Sequence, residues 1–237
     1  MANTSGSRPA LFRNVLMTCG IIAGPFFVFL FLIEGAIRGG YDPLRFAVSS
    51  LSIGEGGWLQ VANFLATGLL VVAFAVGLRR QPKTSPPSVW GPALIGLTGV
   101  GLIGAGIFVS DPLFGYPAEL PLRVAQFTFH GHLHDLFSVF FFAGLPGACL
   151  VFARRFARVG DRKWSAYSTS TAIAMIVVFV LTAIGFKQTA GFIEVAGLLQ
   201  RITIIIGFTW LTLFAASKPA SRESGYDGSA RSTPGRQ

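Results

Sequence analysis

The chain has 237 residues, of which 52% are hydrophobic and 13% aromatic, while only 12% are charged. Soluble domains carry about 25% charged residues, so an ordinary cytosolic enzyme is excluded. A formal net charge of +9 would suit a nucleic-acid partner, but the 19 Lys and Arg residues sit mostly in short connections between apolar blocks and form no basic stripe, which argues against nucleic acid too.

Six apolar blocks run through the chain, at about residues 15–37, 58–78, 89–109, 132–152, 166–186 and 195–215. A helix needs about 20 apolar residues to cross roughly 30 Å of hydrocarbon, so each block can span. The composition therefore predicts an all-α, polytopic membrane bundle of six transmembrane helices over residues 15–215. The first block follows Arg8 and Arg13 as a signal peptide would, but it is too long for one and no small-x-small cleavage site follows, so it reads as a retained helix. Residues 1–14 and 216–237 are expected to be disordered tails, because stretches rich in Ser, Gly, Pro and charge bury too little surface to offset their ordering entropy.

Counting by alternate sides of the six blocks puts 14 of the 19 basic residues on the side of the termini. Among them are Arg79, Arg80, Lys83 and the run Arg154, Arg155, Arg158, Arg162 and Lys163; the other side has Arg38, Arg45, Arg123, Lys187 and Arg201. The positive-inside rule then places both termini in the cytoplasm, in a multi-pass protein of the cell (plasma or inner) membrane. Trp58, Trp90, Trp164 and Trp210 fall near block ends and read as interfacial anchors. Cys19 and Cys149 lie inside apolar blocks and read as packing residues.

Taken in chain order, the polar residues collect on the predicted outer side. Glu34 lies near the outer end of span 1. The connection after it contains Arg45, Ser49 and Ser50, with Val48, Leu51 and Ile53 able to form an interfacial half-helix across the bundle mouth and Gly54, Gly56 and Gly57 allowing the turn into span 2, where Gln60 and Asn63 follow. Span 3 is rich in small residues, among them Gly99, Gly101 and Gly104, which predicts close helix contact inside the bundle. Arg201 lies in span 6, seven residues beyond Glu194, roughly 10 Å along a helix. An intramembrane charge costs about 2.5 to 3.5 kcal/mol unless paired, so Arg201 is expected to face inward onto Glu34, Asp111 or Asp135, or else to snorkel. Arg45, Ser49, Ser50, Asn63, Glu34 and Arg201 form the candidate pocket.

All three histidines fall in His130-Gly131-His132-Leu133-His134-Asp135 at the start of span 4. A helix starting near Phe129 puts His130, His134 and Ser138 on one stripe. Two histidines four apart are compatible with a divalent transition metal such as zinc, Asp111 or Asp135 supplying a further ligand. The candidate metal set is His130, His134 and Asp111; the candidate catalytic residues are His134, Asp135, Ser138 and Asp111. The bland alternative has these histidines hydrogen-bonding loop backbone or Ser49 and Ser50.

The residues Arg45 to Ser52, then Gly54, Gly57-Trp58, Gln60 and Asn63-Phe64, followed by Asp111-Pro112, Gly115-Tyr116-Pro117, and His130-Gly131-x-Leu133-His134 with Ser138, resemble the prokaryotic six-span membrane family catalogued as domain of unknown function 998. The resemblance covers about residues 15–215 and implies fold and location. The pattern is also similar to the superfamily of membrane hydrolases that includes alkaline ceramidases, which hold Ser, Asp and His residues around zinc near one membrane face. It departs from that superfamily in having six spans rather than seven and no second His-x-x-x-His.

Three functions are compatible with these residues, and the sequence leaves enzyme status open. One is a membrane protein with a polar pocket at the extracytoplasmic face that binds a lipid, an envelope-derived ligand or another small molecule. A second is a metal-dependent hydrolase or transferase working on a lipid-like substrate through His130, His134, Asp135 and Ser138. The third is a small permease-like transporter.

Overall fold

Every apolar block becomes a helix. The computed structural model describes residues 7–81, 89–112, 115–117, 128–187 and 191–217, apart from the side chains of residues 7–10. Within them lie α1 (Ser7–Ile37), α2 (Gly57–Arg79), α3 (Trp90–Ile107), α4 (Phe129–Arg158), α5 (Arg162–Phe186) and α6 (Ala196–Ala216), with short 3-10 turns at Val48–Ser52 and Ile193–Val195. All six helices are long and apolar enough to cross a membrane, and no strand occurs among the described residues. α1 starts at Ser7, so part of the stretch expected to be tail is helical. Lys83, Arg123, the side chain of Arg8 and residues 218–237 lie outside the described residues.

The helices form a ring in chain order: each packs on the next, and α6 closes the ring against α1. The short turn between Arg158 and Arg162 imposes this on α4 and α5. One end of the ring carries the start of α1 and the end of α6; the other, the distal end, is where α1, α3 and α5 finish.

Lipid offers no hydrophobic drive between helices, so contact depends on close packing. Glycines of α3 supply it on both flanks. A Cβ on Gly99 would lie 2.8 Å from the Gly68 carbonyl oxygen of α2, and one on Gly101 would lie 2.6 Å from the Phe137 carbonyl oxygen of α4. The expectation of tight contact at span 3 holds, with α3 as one stave of the ring. Aromatic side chains fill the axis: Phe208 lies 5.3 Å from Phe27 and 5.6 Å from Phe141, ring centre to ring centre. Outward faces present Phe29, Leu69, Ile173 and Val177 to lipid.

Trp58 and Trp90 are 68% and 72% exposed at the first turns of α2 and α3, as interfacial anchors should be. Trp210 departs from that expectation. It is fully buried, stacks on Phe214 at 4.9 Å and donates its indole N–H to Ser168 Oγ at 3.0 Å. A partner for the indole nitrogen lets a large ring serve as core. Cys149 is likewise buried in the core, and both cysteines are free thiols.

Gly101→Ala forces backbone against backbone, a change expected to cost about 1–3 kcal/mol. Gly96→Ala, whose Cβ would meet only Ala75 Cβ at 3.6 Å, is expected to cost little. Thermal unfolding of both variants in detergent micelles checks this; equal shifts would refute the α3–α4 contact.

Candidate functional site

The connection between α1 and α2 does not stay outside the bundle. Tyr41, Phe46, Ala47, Val48, Ser50, Leu51 and Ser52 are all buried, and Val48–Ser52 forms a 3-10 turn where the sequence predicts a half-helix across the mouth. Irregular backbone at this depth has N–H and C=O groups that need partners, because water is scarce and each orphan is costly. Side chains from the flanking helices supply them.

Arg38, just past α1, donates from Nη2 to Leu51 O at 3.1 Å and from Nη1 to the carbonyls of Ile53 and Glu55. Its Nη2 also meets Glu34 Oε1 at 2.5 Å, an i,i+4 ion pair. From α6, Arg201 donates from Nη1 to Phe46 O and to Gly197 O, both at 2.9 Å, and from Nη2 to the Tyr41 hydroxyl. Tyr41 in turn donates its hydroxyl to Ala47 O at 2.8 Å. Gln200 Oε1 accepts from Val48 N at 2.7 Å, and Leu198 N donates to Leu44 O at 2.8 Å. The close approach of the loop needs a glycine, since a Cβ on Gly197 would sit 2.3 Å from Phe46 O.

Arg201 is thus inward-facing and only 5% exposed, but its partners differ from those expected. They are two carbonyl oxygens, a phenol, and the faces of Phe31 and Tyr41, whose ring centres lie 5.9 and 5.4 Å from the guanidinium carbon. Glu34 is taken up by Arg38. Arg is suited to this role, because its planar fork reaches several acceptors at once and is weakly hydrated.

Asp111 serves the fold. Its Oδ2 accepts from Thr128 N at 2.7 Å and its Oδ1 from Thr128 Oγ1 at 2.6 Å, while Thr128 Oγ1 caps Gly131 N at 3.0 Å. A carboxylate beside a helix N-terminus complements its dipole. Gly131 makes room for it: a Cβ there would lie 2.0 Å from Asp111 Oδ2.

α4 starts at Phe129, so His130, His134 and Ser138 share a stripe as expected, but their surroundings differ. His130 is exposed, edge-on to Phe108 at 5.6 Å. His134 is 3% exposed, with Nδ1 at 3.0 Å from Ala105 O in the last turn of α3 and 2.8 Å from Phe108 O just past it. Asp135 is exposed. Among the described residues no three His, Cys, Asp or Glu side chains are gathered where they could hold a metal ion, so His130, His134 and Asp111 are not brought together as a ligand set.

Beneath the folded-in loop lies a cavity of about 30 Å³. Phe27, Phe64, Leu102, Ala105, Phe141 and Ile204 line it, with polar groups from Ser49, His134, Ser138 and Gln200. Ser49, from the candidate pocket set, and His134 and Ser138, from the candidate catalytic set, all line it; Ser50, Arg45, Asp135 and Asp111 lie outside the lining. Arg45 is half-buried, with its guanidinium carbon 5.9 Å from the Phe46 ring centre. Asn63 sits in a buried ladder on α2, donating to Phe27 O at 3.1 Å and Gln60 Oε1 at 3.2 Å and accepting from Thr67 Oγ1 at 3.3 Å. Sequence reasoning missed Gln200, Tyr41 and the clamp role of Arg38. Gln200 carried a signal, since an amide inside a span needs a partner as much as its charged neighbour does.

The profile of a family described as "Protein of unknown function (DUF998)" matches residues 21–217. The chain belongs to the DUF998 family. No curated protein and no solved structure matches it. The family adds no chemistry to the geometry above.

Replacing Arg201 by Met removes the charged donor that Phe46 O, Gly197 O and Tyr41 Oη share, with an expected loss on the order of 3 kcal/mol. Arg201→Lys should recover only part of it, because an ammonium cannot reproduce the fork. Thermal unfolding and protease cleavage within residues 41–53 read both effects.

Burial pushes the Tyr41 phenol up to about 12, against the pull of Arg201. An unfolded tyrosine titrates near 10, so the stability held by the neutral phenol is intact below about pH 10 and is lost as pH rises toward 12. Melting temperature measured across that window should fall in the wild type and fall less in Tyr41→Phe.

Proposed function

We propose that this protein is a multi-pass protein of the cell membrane that binds the polar end of a lipid or envelope-derived amphiphile in the cavity beneath the α1–α2 loop. The distal end faces outward and both termini face the cytoplasm. The orientation is supported by charge: Arg13, Arg79, Arg80, Arg154, Arg155, Arg158, Arg162 and Lys163 lie at the end that carries the termini, and basic residues favour the cytoplasmic side.

The observation that carries the binding reading is the cavity's mixed lining. Four aromatic rings and several aliphatic side chains surround a few polar groups, which is how small-molecule sites fix orientation without charge. Ser49, Ser138, Phe142 and Gln200 are the half-buried members of the lining. α5 contributes nothing to it. A volume of about 30 Å³ admits a group the size of one or two waters, so only the polar end is enclosed.

A hydrolytic reading draws on His134 and Ser138 sharing the cavity wall one turn apart. It has less support, because His130 and Asp135 stand outside that wall and no metal-holding group occurs among the described residues.

Native mass spectrometry of the purified protein tests the binding reading. The wild type should retain a lipid-mass adduct that Ser138→Leu, which fills the cavity from its rim, removes. An adduct retained undiminished in Ser138→Leu would refute it.

A further inference from the structure

The hydrogen-bonding state of each polar group in the cavity can be read from what that group already does elsewhere. His134 Nδ1 faces two carbonyl oxygens, Ala105 O and Phe108 O. A carbonyl only accepts, so Nδ1 carries the proton, and in the neutral ring Nε2 is left with its lone pair. Gln200 is fixed in the same way. Its Oε1 accepts from Val48 N at 2.7 Å, so its amide oxygen points to the loop and its NH2 is the end left to donate. Ser49 and Ser138 hydroxyls rotate and can take either role. The cavity thus offers one obligatory acceptor, one obligatory donor and two adaptable groups.

Charge is missing from that inventory. No Asp, Glu, Lys or Arg lines the cavity. Arg201, next to Gln200 in sequence, lies outside the lining and makes its three hydrogen bonds to Phe46 O, Gly197 O and Tyr41. A phosphate or ammonium entering here would lose its hydration with no opposite charge to meet, which costs far more than desolvating a hydroxyl.

We infer that the ligand's enclosed end is uncharged and bears a free hydroxyl, which donates to His134 Nε2 and accepts from Gln200 Nε2, as in a neutral hydroxyl-bearing lipid. This rests on the binding reading above and narrows it to one class of headgroup. A hydroxyl also fits the available space, where a phosphorylated headgroup does not.

Three probes with the same acyl chains separate the possibilities: dioleoylglycerol, its acetate ester, and dioleoylphosphatidate. Binding to the full chain in detergent micelles is measured by native mass spectrometry titration. Dioleoylglycerol should bind about tenfold or more tightly than the acetate ester, which lacks the donor, because a site built around a hydroxyl leaves its own groups unpaired when that hydroxyl is absent. Phosphatidate should bind no better than the ester. Ser138→Val and Gln200→Leu should each reduce the preference for the free hydroxyl, with Gln200→Glu as a second variant that keeps an acceptor for Val48 N but removes the amide donor. If phosphatidate binds as well as or better than dioleoylglycerol, and Ser138→Leu abolishes that binding, the cavity is the site but the headgroup assignment is overturned. If none of the three responds to Ser138→Leu, the assignment falls together with the binding reading.

Discussion

The distal half of this protein is organised around a guanidinium that has no water to point at. Arg201 lies about 8 Å into α6, at the usual rise per residue, and is buried, with only 5% of its surface exposed. Its N–H groups need oxygen atoms, and the ring of helices has few to spare because helical carbonyls are already bonded. The α1–α2 connection brings them. By folding inward it delivers Phe46 O and the Tyr41 hydroxyl to Arg201, and in return Tyr41 and Gln200 satisfy the loop's own backbone. The two requirements cancel, which is why an irregular segment is tolerated inside the bundle.

That arrangement sorts the distal end into two layers. Above, Arg38, Glu34, Arg201 and Tyr41 form a charged clasp whose members are bonded mainly to one another and to backbone. Below, Ser49, His134, Ser138 and Gln200 face a cavity without charge. Gln200 belongs to both layers, since it lines the cavity and holds Val48 N. Tyr116 extends the clasp to the α3–α4 connection, with its ring 5.3 Å from Tyr41 and 5.1 Å from Phe46. The roof of the cavity is therefore braced from α1, α6 and the second distal connection together.

Two residues whose types and spacing resemble catalytic machinery also hold helix ends. Asp111 looks like a metal ligand or base in the sequence, yet its carboxylate holds Thr128 at the start of α4. His134 looks like one half of a ligand pair, yet its Nδ1 bonds the end of α3. Both choices follow from helix termini in lipid, where orphaned backbone groups must be met by side chains. The same economy explains Trp210, whose indole N–H found Ser168 inside the bundle rather than the headgroup region.

Sequence by itself determined the six helices, their approximate ends and the tight contacts of α3, because hydrophobic length and small-residue content act locally and along one helix. It also located the loop turn at Val48–Ser52 and put His134, Ser138 and Ser49 among the candidates. Only the tertiary structure decided that the helices form a ring in chain order, that Arg201 bonds neutral oxygens while Arg38 takes Glu34, and that Gln200 rather than Ser50 or Asp111 joins the cavity. Those outcomes depend on contacts such as Phe46 with Arg201, 155 residues apart. Which acceptor a buried donor finds is set by where the backbone brings distant segments, and residue spacing along the chain holds no record of that.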